Sequence, residues 1–305
     1  VLEALGHPND APRSLLGWLV GSLAAEAQRQ GIPKQFKPWP NPLPLVMPIN
    51  APVDASYIHE LKGDDVVLSP ALKTWADNPD LSGKKSPRDM GLWTPWTWEK
   101  PLPLKATIGV IDDPFSSSQR LLTVDMGGDP IVVFGASGKG KTTFLKSLFF
   151  DLAARRSPSE LNIYALDFGR GGLRQVRQLP HCGATIDAAQ PDRVEALFRM
   201  LRGIMNERQD RLQKYASLED YNLAHRDNPE QVFPAIVCAV DNMAEFKENY
   251  ENLMPDLQAM VRDGRQFGIY WILTATQLAD IPHKLYNLIS RRFAFTMSED
   301  GAYGD

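Results

Sequence analysis

The 305-residue sequence predicts a doubly wound α/β fold, a mostly parallel sheet with helices on both faces. Three observations predict it. Strand-like and helix-like segments alternate from Ala106 onward, as a chain of βαβ units requires. Two of the strands, AIVCAVD and YWILTAT, are almost continuously apolar, which a sheet covered on both faces demands. A third apolar run, IVVF, passes through a glycine-rich turn straight into a helical stretch.

Each element follows from its residues. Residues 12–30 set Leu15, Leu16, Leu19 and Leu23 on one stripe and stop at Gly31 before Pro33, which predicts a packed helix. Seven prolines between 33 and 52 exclude helix and central strand and predict an extended connector. Trp93, Trp96 and Trp98 follow; an aromatic anchor outweighs a stacking platform there, because aromatic rings mostly fill interiors. Strands are then expected at 107–111, 121–124, 131–134, 162–167, 235–241, 270–276 and 293–297, and helices at 142–155, 192–223, 253–264 and 281–290. The chain therefore divides into a connector with the tail of a preceding region over 1–105 and an α/β domain over 106–305.

Composition bounds the function. A hydrophobic content of 43% supplies a sizeable core, and the apolar stretch 15–25 is too short to span a bilayer. Lys and Arg total 33 against 37 Asp and Glu, so the summed field gives no footprint for general nucleic-acid binding. Cys182 and Cys238 sit in core-like segments without a disulfide or metal spacing, which fits a reducing, cytoplasmic compartment.

The strongest chemical signal is Gly135, Ala136, Ser137, Gly138, Lys139, Gly140, Lys141 and Thr142, followed by Thr143. This run fits G-x-x-x-x-G-K-[ST] in its required setting, strand before and helix after. The glycines let backbone N–H groups converge on phosphates, and the helix N-terminus adds its partial positive charge. Lys141 is expected on the β and γ phosphates of ATP and the Thr142 hydroxyl on magnesium. A P-loop also needs a carboxylate at the end of another buried strand, and Asp241, closing AIVCAVD, has that form. Asp167 ends a second strand and is followed by Phe-Gly-Arg-Gly-Gly; it either stands behind the magnesium or caps the turn.

Asn242 follows Asp241 at the position where hydrolytic P-loop motors of the additional-strand class usually carry Glu. A carboxamide takes no proton at neutral pH, so either Glu245 compensates or hydrolysis is slow, and slow is preferred. Gln277, at the tip of YWILTAT, is the candidate sensor of the γ-phosphate, with helix entry as its plainer reading. Arg262, Arg265, Arg291 and Arg292 lie around the last two strands, where ring-forming motors present an arginine to a neighbour's nucleotide; the sequence does not choose among them.

The order of motifs resembles the FtsK/SpoIIIE group of RecA-like ATPases, and most closely a later ATPase module of the type VII secretion motors EccC and EssC. The residues that carry the resemblance are Gly109 to Pro114, GASGKGKTTFLKSL, Tyr164 to Gly169, Leu179 to His181, AVDN, Thr274 to Gln277, Arg291 to Thr296, and Tyr303 to Asp305. It covers about 106–305. The resemblance implies a membrane-anchored protein with tandem ATPase modules on the cytoplasmic side of the cell membrane. Its partners would be neighbouring modules of the same chain, membrane components of the secretion complex and small helical-hairpin substrates with a C-terminal signal. The family continues into further strands beyond Asp305, so a C-terminally truncated module is expected. The reading that results is an ATP- and magnesium-binding module with slow hydrolysis; an actively hydrolysing translocase module and an FtsK-like DNA translocase are the alternatives.

Overall fold

The computed structural model describes residues 15–32, 43, 104–116, 118–225, 227–228 and 230–298. The proline-rich connector, the Trp93–Trp96–Trp98 cluster and Tyr303 to Asp305 lie outside the described residues, Leu43 apart.

Helix α1 (Leu15–Arg29) belongs to a separate compact unit. The predicted helix forms, but its apolar side chains Leu16, Leu19 and Leu23 are 69%, 47% and 63% exposed, so the expected packing is not seen. Among the described residues no apolar face covers the stripe.

The second unit holds the sheet. Its elements are β1 (Lys105–Asp113), β2 (Ser118–Asp125), β3 (Ile131–Phe134), α2 (Lys141–Arg155), β4 (Leu161–Asp167), β5 (Cys182–Asp187), α3 (Pro191–Leu212), α4 (Leu218–Ala224), β6 (Ala235–Asp241), α5 (Met243–Asn249), α6 (Met254–Asp263), β7 (Ile269–Ala275), α7 (His283–Tyr286) and β8 (Arg291–Ala294). Strands β1 and β2 pair as a two-stranded sheet, and the other six form one sheet in the order β5-β4-β6-β7-β3-β8. Every pairing in the larger sheet is parallel.

The strand alternation makes two cores. Ile236, Cys238 and Val240 of β6 join Trp271 and Leu273 of β7 on one face, under α3, α5 and α6. Val237, Ala239, Tyr270 and Ile272 point to the other face, against Phe144, Leu145, Leu148 and Phe149 of α2. With each Val, Leu or Phe worth about 1.5–3 kcal/mol when fully buried, these two layers fix the strands whose ends make the site. Buried Asp151 of α2 ties in β1 as well, since its Oδ2 accepts from Thr107 N at 2.8 Å and Arg155 Nε at 2.8 Å.

Two expectations are corrected and two elements are added. The helix expected at 192–223 is two, because Ser217 adopts an extended backbone and its side chain accepts from Asp220 N at 3.0 Å, starting α4 afresh. Strand β5 was not read from the sequence because CGATID is small, polar and partly exposed at the sheet edge. Helix α5 was missed through its shortness. The helix expected at 281–290 shrinks to α7, four residues entered from Pro282.

Candidate functional site

Parallel strands bring their carboxyl ends to one edge, and in open α/β sheets ligands bind there. Along this edge β4 and β6 run in register, so Asp167 lies beside Asp241, and β5 sets Asp187 beside Asp167. The turn after β3 rises over the same edge. Gly138 and Gly140 take φ of 75° and 106°, conformations that cost a side-chain-bearing residue but not glycine. Gly135 is a close approach: a Cβ there would stand 2.9 Å from Phe295 Cβ. The turn delivers the chain into α2, whose first amides have no intrahelical acceptor and face the edge.

The cavity above the edge measures about 1270 Å³. Ser137, Gly138, Gly140, Lys141, Thr142 and Thr143 line it from the turn and α2, whereas Gly135, Ala136 and Lys139 do not. Lys141 Nζ donates to the carbonyls of Gly135 and, at 3.1 Å, Ala136, leaving one of its three donors for a ligand. Burial lowers its pKa, opposed by the charges of Asp241 and Asp280.

Asp241 is held from three sides. Thr142 Oγ1 donates to its Oδ2 at 2.7 Å, and Thr274 Oγ1 donates to its Oδ1 at 2.6 Å. Gly169 lies so close that a Cβ would come within 2.7 Å of Oδ2. Asp241 is only 2% exposed, and Thr274 extends the network by accepting from Asn242 N at 2.9 Å. A hydroxyl and a carboxylate meeting at the start of a P-loop helix fit magnesium, a hard ion that takes oxygen ligands and keeps several waters. Among the described residues no group of three or more His, Cys, Asp or Glu is arranged to hold a metal. Thr142 and Asp241 are the residues that would hold it.

Of the two readings the sequence left open for Asp167, the hydrogen bonds show the turn cap. Its Oδ2 accepts from Leu173 N at 2.8 Å and caps the turn. Its Oδ1 is buried with no hydrogen-bond partner and the residue lines the cavity. Burial, with the Asp241 charge adding to it, raises its pKa, opposed by backbone hydrogen bonds.

The other candidates divide. Asn242 stands at φ 81°, ψ 80° at the entrance to α5, a left-handed conformation that Asn tolerates better than most residues. Glu245 lines the cavity one helical turn on, with its Oε1 accepting from Asn249 Nδ2 at 2.8 Å. Gln277 caps the short turn Leu278–Asp280 in a reciprocal box with Asp280, and Thr276 is the residue of that strand end that lines the cavity. Arg262 pairs with its neighbour Asp263. Arg265 pairs with Asp129 at 3.3 Å, Arg291 donates to the Asp125 carbonyl, and Arg292 lies 3.8 Å over the Tyr286 ring. Asp125 and Asp129 precede β3 and Arg291 begins β8, so Arg265 and Arg291 gather at the amino ends of the strands, away from the turn.

Sequence reasoning missed Thr274, hidden in an apolar strand, and Arg170, Arg174 and Arg177, which line the cavity from the segment after β4. The glycines of that segment were a signal: a Cβ on Gly172 would come within 2.6 Å of Thr142 Cγ2.

Comparison with known proteins accords with this geometry. The model of the FtsK/SpoIIIE family matches residues 95–302. The ESX-4 secretion system protein EccC4 of Mycobacterium tuberculosis is 30% identical over 200 residues, covering 64% of this chain and 16% of that protein. The solved EssC structure from Geobacillus thermodenitrificans, comprising ATPases 2 and 3, superposes with a TM-score of 0.60 at 26% identity, over 67% of this chain and 40% of that one. EccC ATPases 2 and 3 of Thermomonospora curvata, solved in complex with a signal sequence peptide, share the fold with a TM-score of 0.61 at 24% identity, over 66% and 38%. The chain thus spans a minor part of the relatives it matches.

Proposed function

This chain belongs to the FtsK/SpoIIIE family, and on that premise we propose that it is an ATP-binding module of a type VII secretion motor, coupling nucleotide state to assembly or export with slow hydrolysis. The observation that carries the reading is the 2.7 Å contact between Thr142 and Asp241, which joins the P-loop helix to the end of a buried strand where a magnesium–phosphate pair belongs. In this reading the α2 N-terminus and Lys141 hold the β and γ phosphates, and magnesium adds the charge that neutralises them. Asn242 orients water but accepts no proton, and Glu245 is turned to Asn249, so turnover is slow. Gln277 takes the sensing role of a polar strand tip once its cap on the Leu278–Asp280 turn is released.

No helix among the described residues is long and apolar enough to cross a membrane. The proposed setting is the cytoplasmic side of the cell membrane, beside further modules of the same protein and membrane components of the complex. Small helical-hairpin substrates with a C-terminal signal are the proposed cargo, a reading suggested by the signal peptide bound to the T. curvata modules. The net charge of −4 disfavours a DNA pump.

Calorimetry with ATP and magnesium is the test. The wild-type chain should bind and Lys141→Ala should not, with hydrolysis near background in the wild type. Unchanged affinity in Lys141→Ala would overturn the P-loop assignment. Brisk wild-type hydrolysis that disappears in Glu245→Gln would instead mark an ordinary working ATPase. Salt-sensitive retention of DNA would turn the assignment towards a nucleic-acid motor.

A further inference from the structure

The segment from Gly169 to Gln178 lies on the side of the cavity formed by Thr142 and Asp241. Its glycines allow this: Gly169 packs on Asp241 and Gly172 on Thr142, each too closely for a side chain. Its root is fixed, because Asp167 holds Leu173 N, and Leu173 and Val176 are fully buried. Arg174 between them and Arg177 just after them are exposed and line the cavity, as does Arg170. Among the described residues none of the three pairs with a carboxylate.

Two further details bear on their role. Arg170 sits at φ 66°, a backbone conformation that is strained for a long side chain and tends to persist at functional positions. The Nε of Arg174 lies 2.9 Å from where a Cβ on Gly171 would be, so its guanidinium emerges next to the glycine pair that touches Thr142. The place expected for the β and γ phosphates, by Thr142 and Lys141, lies in the same cavity that the three arginines line. Asp167 and Asp241 also line that space, and a triphosphate beside two carboxylates carries more negative charge than Lys141 and one magnesium ion offset.

We propose that the 169–178 segment reads the terminal phosphate of the bound nucleotide, with Arg170 and Arg174 as donors supplied in cis and Arg177 adding charge further along the wall. This rests on the ATP-binding reading above and names how nucleotide state is registered within the chain. A planar guanidinium donating to phosphate oxygens discriminates by the presence of the third phosphate, not by general attraction.

The test is calorimetric titration of the whole chain with magnesium and either ADP or a non-hydrolysable ATP analogue, for wild type, Arg170→Gly, Arg174→Ala and the double variant. The double variant should lose about tenfold or more in affinity for the analogue while ADP binding stays within about twofold. Arg170→Gly should at the same time raise the melting temperature by about 1–4 °C without nucleotide, since glycine relieves the strain. Analogue binding unchanged, or equal losses for analogue and ADP, would overturn the proposal. So would a more stable Arg170→Gly with the analogue-to-ADP ratio intact in every variant, which is what a purely structural loop predicts. A wild type that binds neither nucleotide would overturn the ATP-binding reading itself.

Discussion

Thr274→Val puts a methyl of similar size in place of the hydroxyl at a fully buried site, so little cavity term enters and the loss is that of the hydroxyl's hydrogen bonds. That hydroxyl makes two contacts, donating to Asp241 Oδ1 at 2.6 Å and accepting from Asn242 N at 2.9 Å. The first is charge-assisted and worth about 1.5–3 kcal/mol, and the stranded Asn242 N–H costs about another 1 kcal/mol. The sum is about 2–4 kcal/mol, or a fall in melting temperature of about 5–15 °C for a domain of this size. Thermal and urea unfolding without nucleotide measure it, with Thr274→Ser as the control. The serine keeps the hydroxyl and drops one methyl, so it should lose about 1 kcal/mol or less. A valine variant within about 0.5 kcal/mol of wild type, or a serine variant as damaged as the valine, would show that this network does not hold Asp241 in place.

Three other outcomes follow from the same geometry. Asp241→Ala should weaken nucleotide binding in the presence of magnesium and leave magnesium-free binding nearly intact, measured by paired calorimetric titrations; equal losses would point to Asp167 as the metal-side carboxylate. Asn242→Glu should raise turnover, yet cost about 1–2 kcal/mol in an unfolding assay because Glu lacks the tolerance of Asn for φ 81°; a variant with neither effect would count against both readings. Asp167 titrates higher in the folded chain than in the unfolded one, so its stabilising contribution is fully present below the ordinary carboxylate range and is lost as pH rises through its folded value. Asp167→Asn should therefore gain stability at neutral pH without nucleotide and lose part of the wild type's acid-side rise in melting temperature, while an unchanged pH profile would argue against a strained carboxyl.

The sequence by itself determined what is written locally along the chain. IVVF and AIVCAVD end where β3 and β6 end because uninterrupted apolar residues have no place but the middle of a covered sheet. The turn from Gly135 to Thr142 was legible because glycines at fixed offsets and a following helix are a local requirement of phosphate binding. That Asp241 closes a buried strand could be read from its strand context alone. Short or edge elements such as β5 and α5 were not legible, since their few polar residues carry too little periodicity.

Only the tertiary structure decided which residues meet. The Thr142–Asp241 contact joins positions 99 apart and the Thr274–Asp241 contact positions 33 apart, and no local pattern encodes either. Strand register put Asp167 beside Asp241, and parallel strand direction sent Arg265 and Arg291 to the end away from the site. The arginines after β4 came to the cavity because the glycines beside them let the backbone lie on Thr142 and Asp241. Composition and spacing carry a residue's chemistry, but its partners are set by strand order, direction and close backbone approach, which depend on the whole core at once.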